Sequence, residues 1–165
     1  MCQILTLIMR GPGARAFKTC AVGVRQRGGM RFDTKIAIVV RGDLAAWQSL
    51  NVTAFLASGI AATCGETIGK PYEDGSGHRY LEMFRQPVLV YAADGPALGL
   101  VRERAVAREM PVAIYTEDMF ATGHDEANRD VVRAVAASDL RLAGVAVYGP
   151  RNAVDKVCKG LTLHA

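Results

Sequence analysis

"KIAIVVRGDLAAWQSLNVTAFLASGIAAT", residues 35–63, changes its pattern once, and that change decides the fold. Residues 35–40 form a β-branched apolar run without polar alternation, which predicts a strand buried on both faces. From residue 50 onward the stretch is nearly all apolar or small, and Val52, Phe55, Leu56, Ile60 and Thr63 keep helical spacing, which predicts a buried helix. Ala54, Ala57, Ser58, Gly59, Ala61 and Ala62 give that helix a small-residue surface on which a sheet or a second helix can come close, and Gly65 supplies its stop. A strand feeding directly into a helix is the opening of an α/β domain.

The alternation continues downstream. "HRYLEMF" (78–84) and "PVLVYAA" (87–93) read as successive strands, the second continuous and buried. "DGPALGLVRERAVARE" (94–109) opens a helix with an Asp/Gly cap and a proline in its first turn, where a missing N–H has no partner to lose. "PVAIYTE" (111–117) and "LRLAGVAVYG" (140–149) are further strands, and after Pro150 a last helix places Val154, Val157, Cys158 and Leu161 on one stripe. The fold class is therefore α/β, with helices on both faces of a mostly parallel sheet. Residues 65–77 are a turn-rich surface loop whose Gly65, Gly69 and Lys70 do not form a phosphate loop, because the spacing is short and Pro71 stands where Ser or Thr is needed.

Length and charge set limits on function. A chain of 165 residues, half of them apolar, suits one domain that needs no disulfide or metal staple. Residues 1–31 carry six of the 20 basic side chains (Arg10, Arg15, Lys18, Arg25, Arg27, Arg31) and no acid, which leaves residues 32–165 with 14 basic and 16 acidic groups. The net charge of +4 thus belongs to the glycine-rich extension, and the charge of the folded part does not support a nucleic-acid partner. The extension has three readings: a non-folding segment with the true start at Met30, an organelle-type transit peptide, or a nucleic-acid-binding arm. Cys2, Cys20, Cys64 and Cys158 lie far apart without metal-ligand spacing, so they read as reduced thiols, Cys158 as a packing residue. No run approaches a membrane span, no cofactor fingerprint or metal motif is present, and a cytoplasmic location is the expectation.

Polar groups collect in two places. After the first strand, Arg41, Asp43, Ser49 and Asn51 precede the apolar helix: Arg41 and Asp43 either pair or face a ligand, and Ser49 and Asn51 either cap the helix or bind. The second place is "EDMFATGHDEANRD" (117–130). Thr122 and Asp125 approximate a capping box, and Asp125 with Arg129 makes a surface pair one helical turn apart. His124, Asn128, Val131 and Val135 begin an inward stripe, so His124 and Asn128 either satisfy buried backbone groups or form part of a site. The candidates are then Asp43, Asp118 and His124 as acid/base groups, and Arg41, Ser49, Asn51 and Asn128 as ligand-binding groups, with no metal.

Two stretches carry a resemblance. "KIAIVVRGDL", with Arg41, Asp43 and Leu44, and "GVAVYGPRNAVDKVCKGLTL", with Gly149, Pro150, Val154, Asp155, Val157, Leu161 and Leu163, resemble the opening and closing of type 2 peptidyl-tRNA hydrolases. Residues 34–164, including "NVTAFLASGIAAT", "PYEDGSGHRYLEMFRQPVLV" and "TGHDEANR", more closely resemble a bacterial family known as domain of unknown function 2000, which shares that fold. The resemblance implies a three-layer α/β/α domain with a small mixed sheet over residues 32–165, often paired into a homodimer.

The resemblance does not carry the activity with it. The hydrolases open their long helix with G-K-x-A-A-Q, where this chain reads Leu50, Asn51, Val52, Thr53, Ala54, Phe55, and they follow a later strand with D-A-G-x-T, where this chain reads "TEDMF". Cleaving a peptidyl ester needs donors for the developing oxyanion and cations for phosphates, and losing one such group costs about 3 kcal/mol of barrier. The expectation is a remodelled site between the end of the first strand and a helix beginning near Asn51, binding or processing an unidentified ligand. An acyl-ester hydrolase and a non-catalytic binding or dimerisation module are the alternatives.

Overall fold

The computed structural model describes residues 32–164. The readings made for residues 1–31, including Cys2 and Cys20, lie outside the described residues.

A five-stranded mixed sheet carries four helices. Its strands are β1 (Thr34–Arg41), β4 (Val88–Ala93), β5 (Val112–Thr116), β6 (Leu142–Pro150) and β7 (Thr162–Leu163), in the order β5-β6-β1-β4-β7. The helices are α1 (Ala46–Thr63), α2 (Gly95–Val106), α3 (Asp125–Arg133) and α4 (Arg151–Val157). Two short strands, β2 (Tyr72–Glu73) and β3 (Arg79–Tyr80), make a separate hairpin.

The expectation of a mostly parallel sheet is corrected. Only β1 and β4 pair in parallel; β6 runs antiparallel to both β1 and β5, and β7 antiparallel to β4. Strands β1, β4 and β5 do point the same way, but β6 returns between β1 and β5. A continuous apolar strand signals burial on both faces and says nothing about direction, which is why β6 misleads.

Alternation along the central strands splits the core in two. Ile36, Ile38 and Val40 of β1 face Val52, Leu56 and Ile60 of α1. Ala37 and Val39 face the other way, toward Leu98, Val101 and Ala105 of α2 and Val154 and Val157 of α4. Asp94 caps α2 as its sequence demands, its carboxylate accepting the Ala97 N–H at 2.8 Å. Cys158 lies in this second cluster, and burial pushes its thiol up to about 11, as fits a packing residue.

Three further expectations change. Helix α1 is buried on one side only: Phe55 is half exposed and Leu50 is 72 % exposed. It begins at Ala46, so Ser49 and Asn51 lie inside it and are not its caps; Gln48 accepts the Ala45 N–H at 3.0 Å instead. In "HRYLEMF" only Arg79 and Tyr80 are strand, and residues 81–83 are exposed. That hairpin is held by its turn, where the Asp74 carboxylate accepts the N–H groups of Ser76 (2.9 Å) and His78 (3.0 Å) and Gly77 takes a φ of +82°.

Candidate functional site

The first turns of α1 place Trp47, Asn51 and Phe55 four residues apart on one side, beside the C-terminal end of β5. Between Tyr115 and Thr116 the pairing of β5 with β6 slips, and a 3-10 turn, Glu117–Ala121, folds Met119 and Phe120 back against the core. The start of α3 closes the remaining side. Together these elements line a groove of about 500 Å³.

One wall is a row of four rings. Trp47 meets Phe120 edge to face with centroids 5.8 Å apart, Phe120 meets Tyr115 at 5.0 Å, and Tyr115 meets Phe55 at 5.6 Å. The inner ring, Tyr115, is 4 % exposed, while Trp47 at the end of the row is 62 % exposed. Burial raises the Tyr115 phenol above its ordinary value, so it stays a neutral donor, and its hydroxyl reaches Asn51 Oδ1 at 3.3 Å.

Polar groups face that wall. Thr122 does not cap α3 with Asp125 as its spacing predicts; its hydroxyl contacts the Met119 carbonyl at 2.8 Å and Asn128 Oδ1. The cap is His124, whose Nδ1 accepts the Ala127 N–H at 3.2 Å. The predicted inward orientation of His124 is therefore corrected: it is exposed at the groove's mouth and serves its own helix, while Asn128 is half-buried. Asp125 accepts from Arg129 at 2.6 Å, the surface pair expected from their spacing.

A chain of charges lies beside the groove at the C-terminal ends of β1 and β5. Arg41 pairs with Asp43 at 2.5 Å and with Glu117; Arg141 pairs with Glu117 at 3.1 Å and with Asp118. These five groups are partly exposed, so each pair contributes about 1 kcal/mol or less. Their effect is geometric: Glu117 begins the turn that carries Met119 and Phe120, and two arginines fix where it starts.

A model of a protein of unknown function, DUF2000, matches residues 34–165. The chain belongs to this family. It is also similar to the solved structure of a protein of unknown function from Agrobacterium tumefaciens strain C58, at 49 % identity and a TM-score of 0.79, with 82 % of this chain and all of that one covered. No curated protein matches it.

In this DUF2000 protein the seven predicted site residues fall into three places. Asn51, His124 and Asn128 line the groove. Arg41, Asp43 and Asp118 sit in the charge chain outside it, so the three expected acid/base groups do not meet in one cavity. Ser49 joins neither; its carbonyl accepts the Thr53 hydroxyl at 2.8 Å within α1. The sequence reading missed the rings: Phe55 is on the predicted core stripe, and Trp47, Tyr115 and Phe120 are too far apart in sequence to form a motif. The available signal is the pair of aromatics flanking the polar cluster at 117–130, Tyr115 before it and Phe120 within it. Among the described residues, no group of three or more His, Cys, Asp or Glu is placed to hold a metal ion, and no helix is long and apolar enough to cross a membrane.

Proposed function

We propose that this DUF2000 protein binds a small planar molecule in the aromatic groove. The observation that carries the reading is the four-ring row ending in an exposed tryptophan: stacking on such a wall is worth about 1 kcal/mol per ring pair, and among the described residues Phe120 is the one ring that meets Trp47, which stays 62 % exposed. The position supports it, since ligands of α/β sheets gather outside the C-terminal ends of strands, where β1 and β5 end here. The wider reading is a cytoplasmic three-layer α/β/α domain of the type 2 peptidyl-tRNA hydrolase kind with a remodelled site. Helices packed on both sheet faces and the Arg41-x-Asp43-Leu44 opening favour that fold. The hydrolase alternative is weakened, because among the described residues no Lys or Arg lines the groove to meet a tRNA phosphate.

Trp47 is the only tryptophan in the chain, so its indole N–H gives one unambiguous resonance. A library of planar aromatic fragments is expected to shift that resonance for several members, and Phe120→Ala should weaken those same members about tenfold. Fragments that leave Trp47 unmoved, or that bind Phe120→Ala equally well, would contradict the reading.

A second reading rests on the outer face of α1. That helix has no charged residue in 18 positions, yet Trp47, Leu50, Ala54, Phe55 and Ser58 face solvent. Surface helices normally carry charge there, and two copies meeting on this face would bury apolar area without like-charge repulsion. We propose a homodimer across α1. Sedimentation equilibrium should find a dimer that Leu50→Glu converts to monomer; a monomeric wild type would end this reading while leaving the groove intact.

A further inference from the structure

We infer that the groove selects a neutral ligand whose ring system bears a carbonyl, in preference to an anion, a cation or a plain hydrocarbon; this rests on the groove being the binding site. The inference comes from which hydrogen-bonding atoms are already engaged. Asn51 Oδ1 receives the Tyr115 hydroxyl and Asn128 Oδ1 contacts the Thr122 hydroxyl. His124 Nδ1 receives the Ala127 N–H, so a neutral imidazole carries its proton on Nε2. In each of the three the side-chain acceptor already faces a partner within the domain. Among the described residues nothing receives a hydrogen bond from Asn51 Nδ2, Asn128 Nδ2 or His124 Nε2. Three residues lining one groove thus present donors without a partner among the described residues and acceptors that already face one.

Charge then narrows the ligand. Donors alone would also suit a carboxylate or a phosphate, but the lining holds Asp125 and, among the described residues, no Lys or Arg, and the one arginine beside it, Arg129, is shared between Asp125 and Glu126. An anion entering the groove therefore meets a net negative mouth and, among the described residues there, no arginine free to pair with it. A cation would gain from the ring faces and from Asp125, but Asp125 is held by Arg129, and the three donors would oppose the cation's own N–H groups. A carbonyl accepts hydrogen bonds without bringing charge, and a flat ring attached to it meets the aromatic wall. Amides, lactams and oxo-heterocycles share this chemistry.

Four probes of similar shape separate these cases: 1-naphthylacetamide, 1-naphthylacetate, 2-(1-naphthyl)ethylamine and 1-ethylnaphthalene, titrated into the full chain and followed by the Trp47 indole and the side-chain amide resonances of Asn51 and Asn128. The amide is expected to bind at least tenfold tighter than the other three and to move both asparagine amides. Asn128→Leu is expected to narrow the margin of the amide over ethylnaphthalene severalfold. Acetate or amine binding as tightly as the amide overturns the inference, and so does ethylnaphthalene matching it; in both cases Trp47 still shifts and the groove reading stands. If none of the four moves Trp47, the groove reading falls and this inference falls with it.

Discussion

Adding one methyl group at residue 144 is expected to lower the unfolding free energy by about 3 kcal/mol, the upper part of the range for overfilling a close-packed core. Gly144 lies near the start of β6, opposite Val40 of β1 on one side and Tyr115 of β5 on the other. Helix α1 crosses directly above it. A Cβ built there would stand 2.5 Å from Val52 Cγ1, 2.9 Å from Leu56 Cδ1 and 3.2 Å from the Val39 carbonyl oxygen. The first two contacts are well inside van der Waals range, and both partners are β- or γ-branched side chains buried in a close-packed core. The helix must move out or the strand must bend. Urea unfolding of Gly144→Ala against wild type measures the loss, and Val52→Ala in the same chain should recover part of it, because it removes the nearest clashing atom. Gly59→Ala is the contrast: its added methyl meets only Ala113 Cβ, at 3.2 Å, and alanine gains up to about 1 kcal/mol of helix propensity, so the net change should be near zero. A Gly144→Ala protein as stable as wild type would mean that α1 does not sit where this contact places it.

That glycine shows what the sequence can and cannot reveal. The apolar run of β6 is legible, and so is its burial, because eight of its nine residues are buried. Its direction is not, since strand polarity depends on which neighbour it pairs with, and no local residue records that. Helix α1 is legible from its spacing, but which side of it is covered is not: a helix without charges reads as buried all round, whereas one face here is open. Caps are legible where one residue type does one job, as at Asp94, and misleading where several can. The stretch 122–125 offers Thr, His and Asp as caps, and the 3-10 turn before it decides by drawing the Thr122 hydroxyl toward the Met119 carbonyl. Asn51 stands out as a polar residue before an apolar helix, and His124 and Asn128 as polar residues heading a helical stripe. The rings opposite them do not, because aromatic residues are expected in any core and only the closure of the sheet end makes four of them a wall.

The second large effect is expected at Tyr115, where core and groove are the same residue. Tyr115→Ala should cost about 3 kcal/mol, the low end for removing a large ring from a core, since the ring is 4 % exposed but borders the groove. It packs with Ile36, Ile38 and Val40 in the cluster under α1 and is the middle contact between Phe120 and Phe55. Its removal breaks the ring row into two separated ends, so the naphthyl probes should lose at least tenfold in affinity even under conditions where the variant is fully folded. Tyr115→Phe separates the two roles. It keeps every ring contact and removes only the long 3.3 Å bond to Asn51, so its stability should fall by about 1 kcal/mol or less and ethylnaphthalene should bind as before. Asn51 Oδ1, released from the phenol, can then turn toward the ligand and offer an acceptor where the wild type offers a donor. The margin of amide over amine should narrow in Tyr115→Phe because the amine gains an acceptor, whereas in Asn128→Leu it narrows because the amide loses a donor. Unfolding curves and the same titrations read both effects. A folded Tyr115→Ala protein that binds the probes like wild type would remove the ring row from the site, and an unchanged amide-to-amine ratio in Tyr115→Phe would show that Tyr115 does not orient Asn51.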